Sequence, residues 1–270
     1  MIAYLSRLWR YGDLLFWLSA KEIKVRYKLP ILGFLWALFV PLATSLILWL
    51  VFSVVTPTMP NSRYPFFLFL IVGMFPWNFF SQSVSQATMS ILDAGSMIKK
   101  TAFPRAIVPL SIVASNGFNF VLTLLVVVGV MIASRVPLSP WLLLLPFAVV
   151  CEVLFTTGIV LLVAGLQVRY RDVKYLTEIS LILWFYLTPI FYPLELVAHA
   201  PAVLRSWYVC NPLVYLIELY RVVLLGGSSA TMLSPYLAVG VSAVICVAMF
   251  FAGLGVFRRH ESTFADLVMG

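Results

Sequence analysis

Residues 34–55, FLWALFVPLATSLILWLVFSVV, hold no charged side chain. A helix needs about 20 predominantly apolar residues to cross the hydrocarbon core of a bilayer, and comparable runs recur along the chain. With 63% hydrophobic and 10% charged residues among 270, a water-soluble domain would lack the side chains to build a polar exterior. The chain is therefore read as an all-α integral membrane protein, with room for about five to seven spans.

Six spans are placed, near 34–55, 64–90, 107–132, 141–166, 175–190 and 235–257. The second is expected to break at Pro76, and its last third turns polar through Ser81, Gln82, Ser83, Ser85 and Gln86. In the third, Ser111, Ser115 and Asn119 recur at i, i+4, i+8, which suits hydrogen bonding between helices, with a channel-lining role as the alternative. Residues 1–28 pair an apolar side (Leu5, Leu8, Trp9, Leu15, Phe16) with Arg7, Arg10, Lys21, Lys24 and Lys28, the composition of a helix lying in the interface. Pro30 ends it and Gly33 follows. Between the last two spans, 191–234 is long for a loop, and its apolar stretch 213–225 is too short to cross. A pair of short re-entrant or interfacial helices fits there, provided protein or a wet cavity covers its backbone. Glu152 is the one acid expected well within a span.

Lysine and arginine set the orientation. With a cytoplasmic N-terminus, the inside segments 1–33, 91–106, 167–174 and 258–270 carry fourteen of the eighteen basic residues, a decisive positive-inside asymmetry. Both termini are then cytoplasmic. The net charge of +8 is scattered between apolar segments rather than gathered on one face, which argues against nucleic acid. Cys151, Cys210 and Cys246 lack metal-ligand or disulfide-framework spacing. The basic N-terminus has no compact apolar core before a cleavage site, so no signal peptide is expected. One domain, 1–270, is expected: an interfacial helix and turn (1–33), a six-span bundle (34–257) and a tail (258–270).

The inside loop at 91–106 leads into MIKKTAFPRAIVPL, residues 97–110. Basic residues there could simply stop a helix from slipping. A short helix before Pro104 also fits, because the residue preceding proline avoids the α region, and a basic helix parallel to the membrane suits docking to a soluble partner. The second inside loop, RYRDVKYL, reads as a solvated turn or as a further contact.

MIKKTAFPRAIVPL resembles the coupling segment of ABC-2 type permeases of the polysaccharide export family, the O-antigen, teichoic acid and capsule exporters. KEIKVRYKLPILGFLWALFVPL (21–42) is similar to that family's interfacial helix, Leu-Gly turn and first span. YPFFLFLIVGMFPWNFF (64–80), VRYRDVKYL (168–176), TPIFYPLE (188–195) and NPLVYLIELYR (211–221) look like its later landmarks, in the same order. The resemblance covers nearly the whole chain. It implies a permease of the bacterial inner membrane that forms a homodimer, sits on two ABC ATPase subunits and exports a polysaccharide linked to an undecaprenyl-diphosphate-type lipid. The chain has no GxxxxGK[ST] phosphate cradle, so ATP and Mg would be bound by the partner ATPase and no cofactor by this chain. By the same resemblance, Ser96, Met97, Lys99, Lys100, Phe103, Pro104 and Arg105 would rest in a groove of that ATPase, with Arg171 and Asp172 beside them.

Two further sets of residues follow from the expected cargo. Arg26, Lys28, Leu32 and Gly33 stand where a turn meets the inner membrane surface, and cations there suit a diphosphate; fixing topology or binding membrane lipids is an equal alternative. Trp36, Trp49, Phe52, Trp184, Phe185 and Tyr186 lie in the spans that line the channel in the family, although aromatics also gather at any membrane boundary. Tyr192, Pro193, Asn211, Glu218 and Arg221 would form an external gate, Glu218 and Arg221 being three apart and able to pair within a helix. An intramembrane lipid-sugar transferase would need a general base or a carboxylate cluster; the chain offers only His199, His260 and no paired carboxylates. An ABC-2 permease for small drugs or lipids remains the alternative within transport.

Overall fold

The computed structural model describes residues 2–27, 35–55, 65–137, 139–194, 197, 201–226, 235–261 and 264. Among them the secondary structure is entirely helical: α1 (Ile2–Arg10), α2 (Gly12–Tyr27), α3 (Leu35–Val55), α4 (Phe66–Thr88), α5 (Ser90–Asp93), α6 (Gly95–Lys100), α7 (Ile107–Ala133), a 3-10 turn (Pro140–Leu144) running into α8 (Leu145–Arg169), α9 (Val173–Leu187), α10 (Ala202–Cys210), α11 (Pro212–Leu225) and α12 (Pro235–Glu261). Among the described residues four helices are long and apolar enough to cross a membrane: α4, α7, α8 with its 3-10 lead-in, and α12. The 21 residues of α3 carry no charge. With 15 residues, α9 is about 22 Å long, short of the roughly 30 Å hydrocarbon core.

The core gathers where α4, α7, α8 and α11 meet, around Phe75, Phe80, Phe120, Phe155 and Tyr220. Tyr220 meets Phe75 edge-on at 4.9 Å, and Phe75 stacks on Phe120 at 5.3 Å. A second apolar cluster, at one end of the bundle, joins Phe103, Ile107, Val168, Phe257 and Phe264 with residues of α1 and α2. The amphipathic start is thus docked on the bundle. α2 packs on α7 and keeps Phe16, Trp17 and Val25 exposed beside Lys21 and Lys24, the composition of an interfacial surface.

Three expectations need correction. Pro76 does not break the second span: α4 is continuous through it. A proline forfeits one intrahelical hydrogen bond, a loss that a helix packed by its neighbours tolerates. The fifth segment ends at Leu187 rather than near 190, because Pro189 pushes Thr188 into an extended conformation (φ −106°, ψ 137°). Ser111 and Ser115 do not bridge helices; their hydroxyls donate to Val108 and Ile112 carbonyls of their own helix. Of that stripe, Asn119 reaches another helix, accepting from the Tyr27 hydroxyl at 2.7 Å.

The pair of short helices expected within 191–234 is present as α10 and α11, the second covering the apolar stretch 213–225. Asn211 caps α11, its Oδ1 accepting from the Leu213 N–H at 3.1 Å. Every residue from Leu213 to Leu225 is buried. Gly226 closes the helix at φ 85°, a left-handed conformation that favours glycine.

Candidate functional site

The end of the bundle that carries α1 also carries the basic segment. Ser96, Lys99 and Lys100 are exposed, Met97 is half-buried, and Phe103 and Pro104 are buried. The helix α6 stops at Thr101, which turns extended and returns its hydroxyl to the Met97 carbonyl at 2.8 Å. Phe103 then inserts into the inner apolar cluster, so the segment is anchored at its base while its lysines face outwards. Arg105 is held by Glu261: its backbone N–H donates to Oε1 at 2.9 Å, and its guanidinium donates to the Glu261 carbonyl. The Tyr4 hydroxyl donates to Glu261 Oε2 at 2.8 Å. Burial, and then the Glu261 carboxylate, push the Tyr4 phenol well above its ordinary value, which keeps it a donor. Arg7, Lys99, Lys100, Arg105 and Arg258 surround Glu261 in an open cleft of about 700 Å³.

The second inside loop lies close to this region. Arg171 and Asp172 are exposed, while Gln167 donates to the Arg171 carbonyl at 3.1 Å and to Met89 Sδ at 3.4 Å. The contact with Met89 ties the loop to the end of α4, just before the basic segment begins.

Of the four residues expected at the substrate entrance, Lys28, Leu32 and Gly33 lie outside the described residues. Arg26 forks between two amides, donating to Asn116 Oδ1 at 2.7 Å and Gln86 Oε1 at 2.6 Å. Asn116 Nδ2 also donates to Gln86 Oε1 at 3.3 Å. Both acceptors are neutral, so these bonds orient the guanidinium without cancelling its charge.

The aromatic candidates divide. Trp184 packs inwards against Phe80 and Phe155, and its indole donates to Asn211 Oδ1 at 2.8 Å. Phe185 packs on Trp77 and Phe191, and Phe52 on Phe66 and Phe191. Tyr186 and Trp49 are open, at 62% and 37% exposure. Trp36 lies on α3, and its side chain is outside the described part.

At the opposite end two of the five gate candidates, Tyr192 and Pro193, belong to the non-helical turn after α9, and two more, Asn211 and Arg221, donate hydrogen bonds to it. Asn211 Nδ2 donates to Thr188 Oγ1 at 3.0 Å. Arg221 donates to Glu218 at 2.6 Å and to the Ile190 carbonyl at 2.9 Å, with its guanidinium 3.7 Å from the centre of the Phe69 ring. Tyr192 shares a 2.5 Å hydrogen bond with the Tyr208 hydroxyl and donates to the Tyr186 carbonyl at 3.1 Å. Pro193 is buried beside them. Backbone at this depth needs such partners.

Residues 13–225 match the family model described as ABC-2 type transporter. The chain belongs to the ABC-2 type transporter family. The O-antigen export system permease protein RfbA of Myxococcus xanthus is 33% identical over 274 residues, covering 99% of this chain and 100% of that protein. The protein of the same name from Klebsiella pneumoniae is 30% identical over 259 residues, 95% of each chain. The polysialic acid transport protein KpsM of Escherichia coli is 25% identical over 256 residues, 90% of this chain and 92% of that one. This ABC-2 chain is a multi-pass membrane protein, a transport component rather than an enzyme, of the kind that works with an ABC ATPase.

In this ABC-2 domain, sequence reasoning missed Tyr4, Gln86, Asn116 and Glu261. Asn116 and Gln86 sit in apolar or small-residue surroundings where a lone amide gives little signal. Glu261, in the run RRHE at the end of an apolar helix, did carry one: an acid there opposes the helix dipole and needs a compensating contact.

Proposed function

We propose that this chain is the membrane subunit of an ATP-driven exporter of a lipid-linked polysaccharide, with O-antigen as the cargo. The observation that carries the reading is the end-to-end match to permeases named for O-antigen export. The 25% match to a polysialic acid transporter keeps capsule export as a second reading; teichoic acid and small-substrate export stand behind these.

The chain crosses the bacterial inner membrane six times, through α3, α4, α7, α8, α12 and, as the fifth crossing, the short α9 together with the non-helical turn that follows it, with both termini cytoplasmic. Support comes from the positive-inside count and from the contact of α1, the 97–105 segment and the end of α12 through Glu261. The whole chain acts as one domain. Two copies assemble on two ATPase subunits, which bind ATP and Mg, so this chain needs no cofactor. Exposed apolar faces on α3 and α9, including Leu50, Val54, Ile179, Ile182 and Leu183, suit a second copy or lipid.

The residues 96–105, with Arg171 and Asp172, form the coupling surface. Arg26, with Lys28, Leu32 and Gly33, meets the lipid diphosphate as it enters. Trp36, Trp49, Phe52, Trp184, Phe185 and Tyr186 line or support the passage, and Tyr192, Pro193, Asn211, Glu218 and Arg221 hold the outer gate. Depleting the protein in its host and locating lipid-linked glycans across the inner membrane tests this. Long glycans trapped on the cytoplasmic leaflet and missing from the surface are expected. Surface glycans unchanged in amount and length would overturn polysaccharide export in favour of a small substrate.

A further inference from the structure

Glu261 joins elements that lie far apart in sequence: Tyr4 is 257 positions away and Arg105 is 156. Its two carboxylate oxygens serve two different elements, Oε2 the helix α1 and Oε1 the backbone that leaves the coupling segment. The Arg105 guanidinium grips the Glu261 carbonyl, one of the last carbonyls of α12, which have no partner within their own helix. Arg258, one turn earlier, lies 5.0 Å from the centre of the Tyr4 ring. Among the described residues lining the basic cleft, Glu261 is the one acid. Charged hydrogen bonds of this kind are the stronger ones, and here they come from a backbone N–H and a half-buried phenol.

The junction also has a rigid continuation. Four residues before Glu261, Phe257 is fully buried among Phe103, Phe264 and Val168. Two turns before Glu261, Gly253 lies against the backbone of α8 at Gly158. A push on the residues 95–105 therefore meets a polar tie at Glu261 and an apolar one at Phe103, both ending on α12.

We propose that Glu261 is a positioning residue that fixes the coupling segment and α1 to the inner end of α12, so that movement of the segment is passed into that helix instead of being lost in the loop. This rests on the exporter reading, since it takes a docked ATPase as the source of movement.

The test uses the full permease co-expressed and purified with its ABC ATPase, reconstituted in liposomes with lipid-linked glycan extracted from host membranes. Assembly, basal ATPase, glycan-stimulated ATPase and glycan translocated per ATP are measured. E261A removes both acceptors and is expected to keep assembly and basal ATPase within about twofold while lowering glycan per ATP about tenfold. Y4F keeps the ring and its contact with Arg258, loses one donor, and is expected to lower the ratio about threefold; added to E261A it changes nothing further, because both act through one contact. Y4F covers the case in which E261A fails to assemble. Wild-type ratios in both variants, or in Y4F alone when E261A does not assemble, overturn the tie and leave the exporter reading intact. Strictly additive losses also overturn it. A wild-type complex that shows no glycan stimulation overturns the exporter reading, and this inference falls with it.

Discussion

Gly158 on α8 and Gly253 on α12 lie so close that neither position has room for a side chain. A Cβ built on Gly253 would stand 2.6 Å from the Gly158 carbonyl carbon, and one on Gly158 would stand 2.8 Å from the Phe250 nitrogen. Small residues at such crossings let helix backbones approach within a membrane, where dispersion rather than the hydrophobic effect drives packing. G253A must separate the helices and is expected to cost about 1–3 kcal/mol, with G253V abolishing recoverable folded protein. Thermal unfolding in detergent and the yield of monodisperse protein check this. G255A, where a Cβ meets nothing within 4 Å, is the control and should melt like the wild type.

Arg221 is expected to be far more costly to remove than to replace together with its partner. Both Arg221 and Glu218 are buried, and R221M would strand the carboxylate with a loss of about 3–5 kcal/mol. The double variant E218Q/R221M has no stranded charge and should regain most of that stability. It still lacks the donor to the Ile190 carbonyl, so the turn after α9 should be loosened and export altered even where melting is restored. Wild-type export by a stable double variant would reduce the pair to a packing device. G73A probes the same junction from α4: its Cβ would lie 2.8 Å from the Ile190 oxygen and 3.3 Å from Arg221 Nη2, so it should displace the turn and press on the guanidinium while keeping both buried charges.

Much of this architecture was legible because membrane helices must satisfy their backbones internally, so an uncharged run such as 35–55 admits few alternatives. The short helix ahead of Pro104 and the non-spanning helix 212–225 followed from proline chemistry and from length. The polar junctions were harder. Ser111, Ser115 and Asn119 share a helix face and suggested a stripe, but short hydroxyl side chains reach their own helix carbonyls more easily than a neighbouring helix. The bridging groups are amides: Asn119, which lies on the stripe, and Asn116 and Gln86, which obey no period. An acid at the end of α12 signals that Glu261 needs a compensating contact, but its partners, Tyr4 and Arg105, lie 257 and 156 positions away, and no local pattern names them. Pro76 misled in the opposite direction, since packing against neighbouring helices outweighs a local breaker.

Arg26 separates a structural cation from a substrate-binding one. R26K keeps the charge but loses the planar fork that reaches both Asn116 and Gln86; a loss of about 1 kcal/mol, or about fivefold in apparent affinity for lipid-linked glycan, is expected. N116D is the decisive variant. It strengthens the bond to Arg26 and neutralises its charge, at the loss of the Asn116 donation to Gln86, so a diphosphate-binding role predicts impaired export where melting shows the fold retained. Export equal to wild type in N116D, measured alongside melting, would assign Arg26 to holding α2 on the bundle.

Charge reversal in the coupling segment should act through its exposed lysines and not through Arg105. Lys99 and Lys100 face solvent and Phe103 anchors the segment beneath them, so K99E/K100E should leave the melting of the membrane subunit unchanged. If the lysines meet an acidic groove of the ATPase, co-purification of the two subunits falls about tenfold and the wild-type complex itself weakens between 0.05 and 0.5 M salt, as the screening length shortens severalfold. R105E differs, because it sets a second carboxylate against Glu261, and it should lower melting as well as coupling. Restored melting in R105E/E261Q, with coupling still impaired, would place the defect in the contact rather than in folding. Reversal of both lysines without effect on assembly would mean that the segment docks through Met97 and its apolar neighbours, and the salt dependence of the wild-type complex would then be flat.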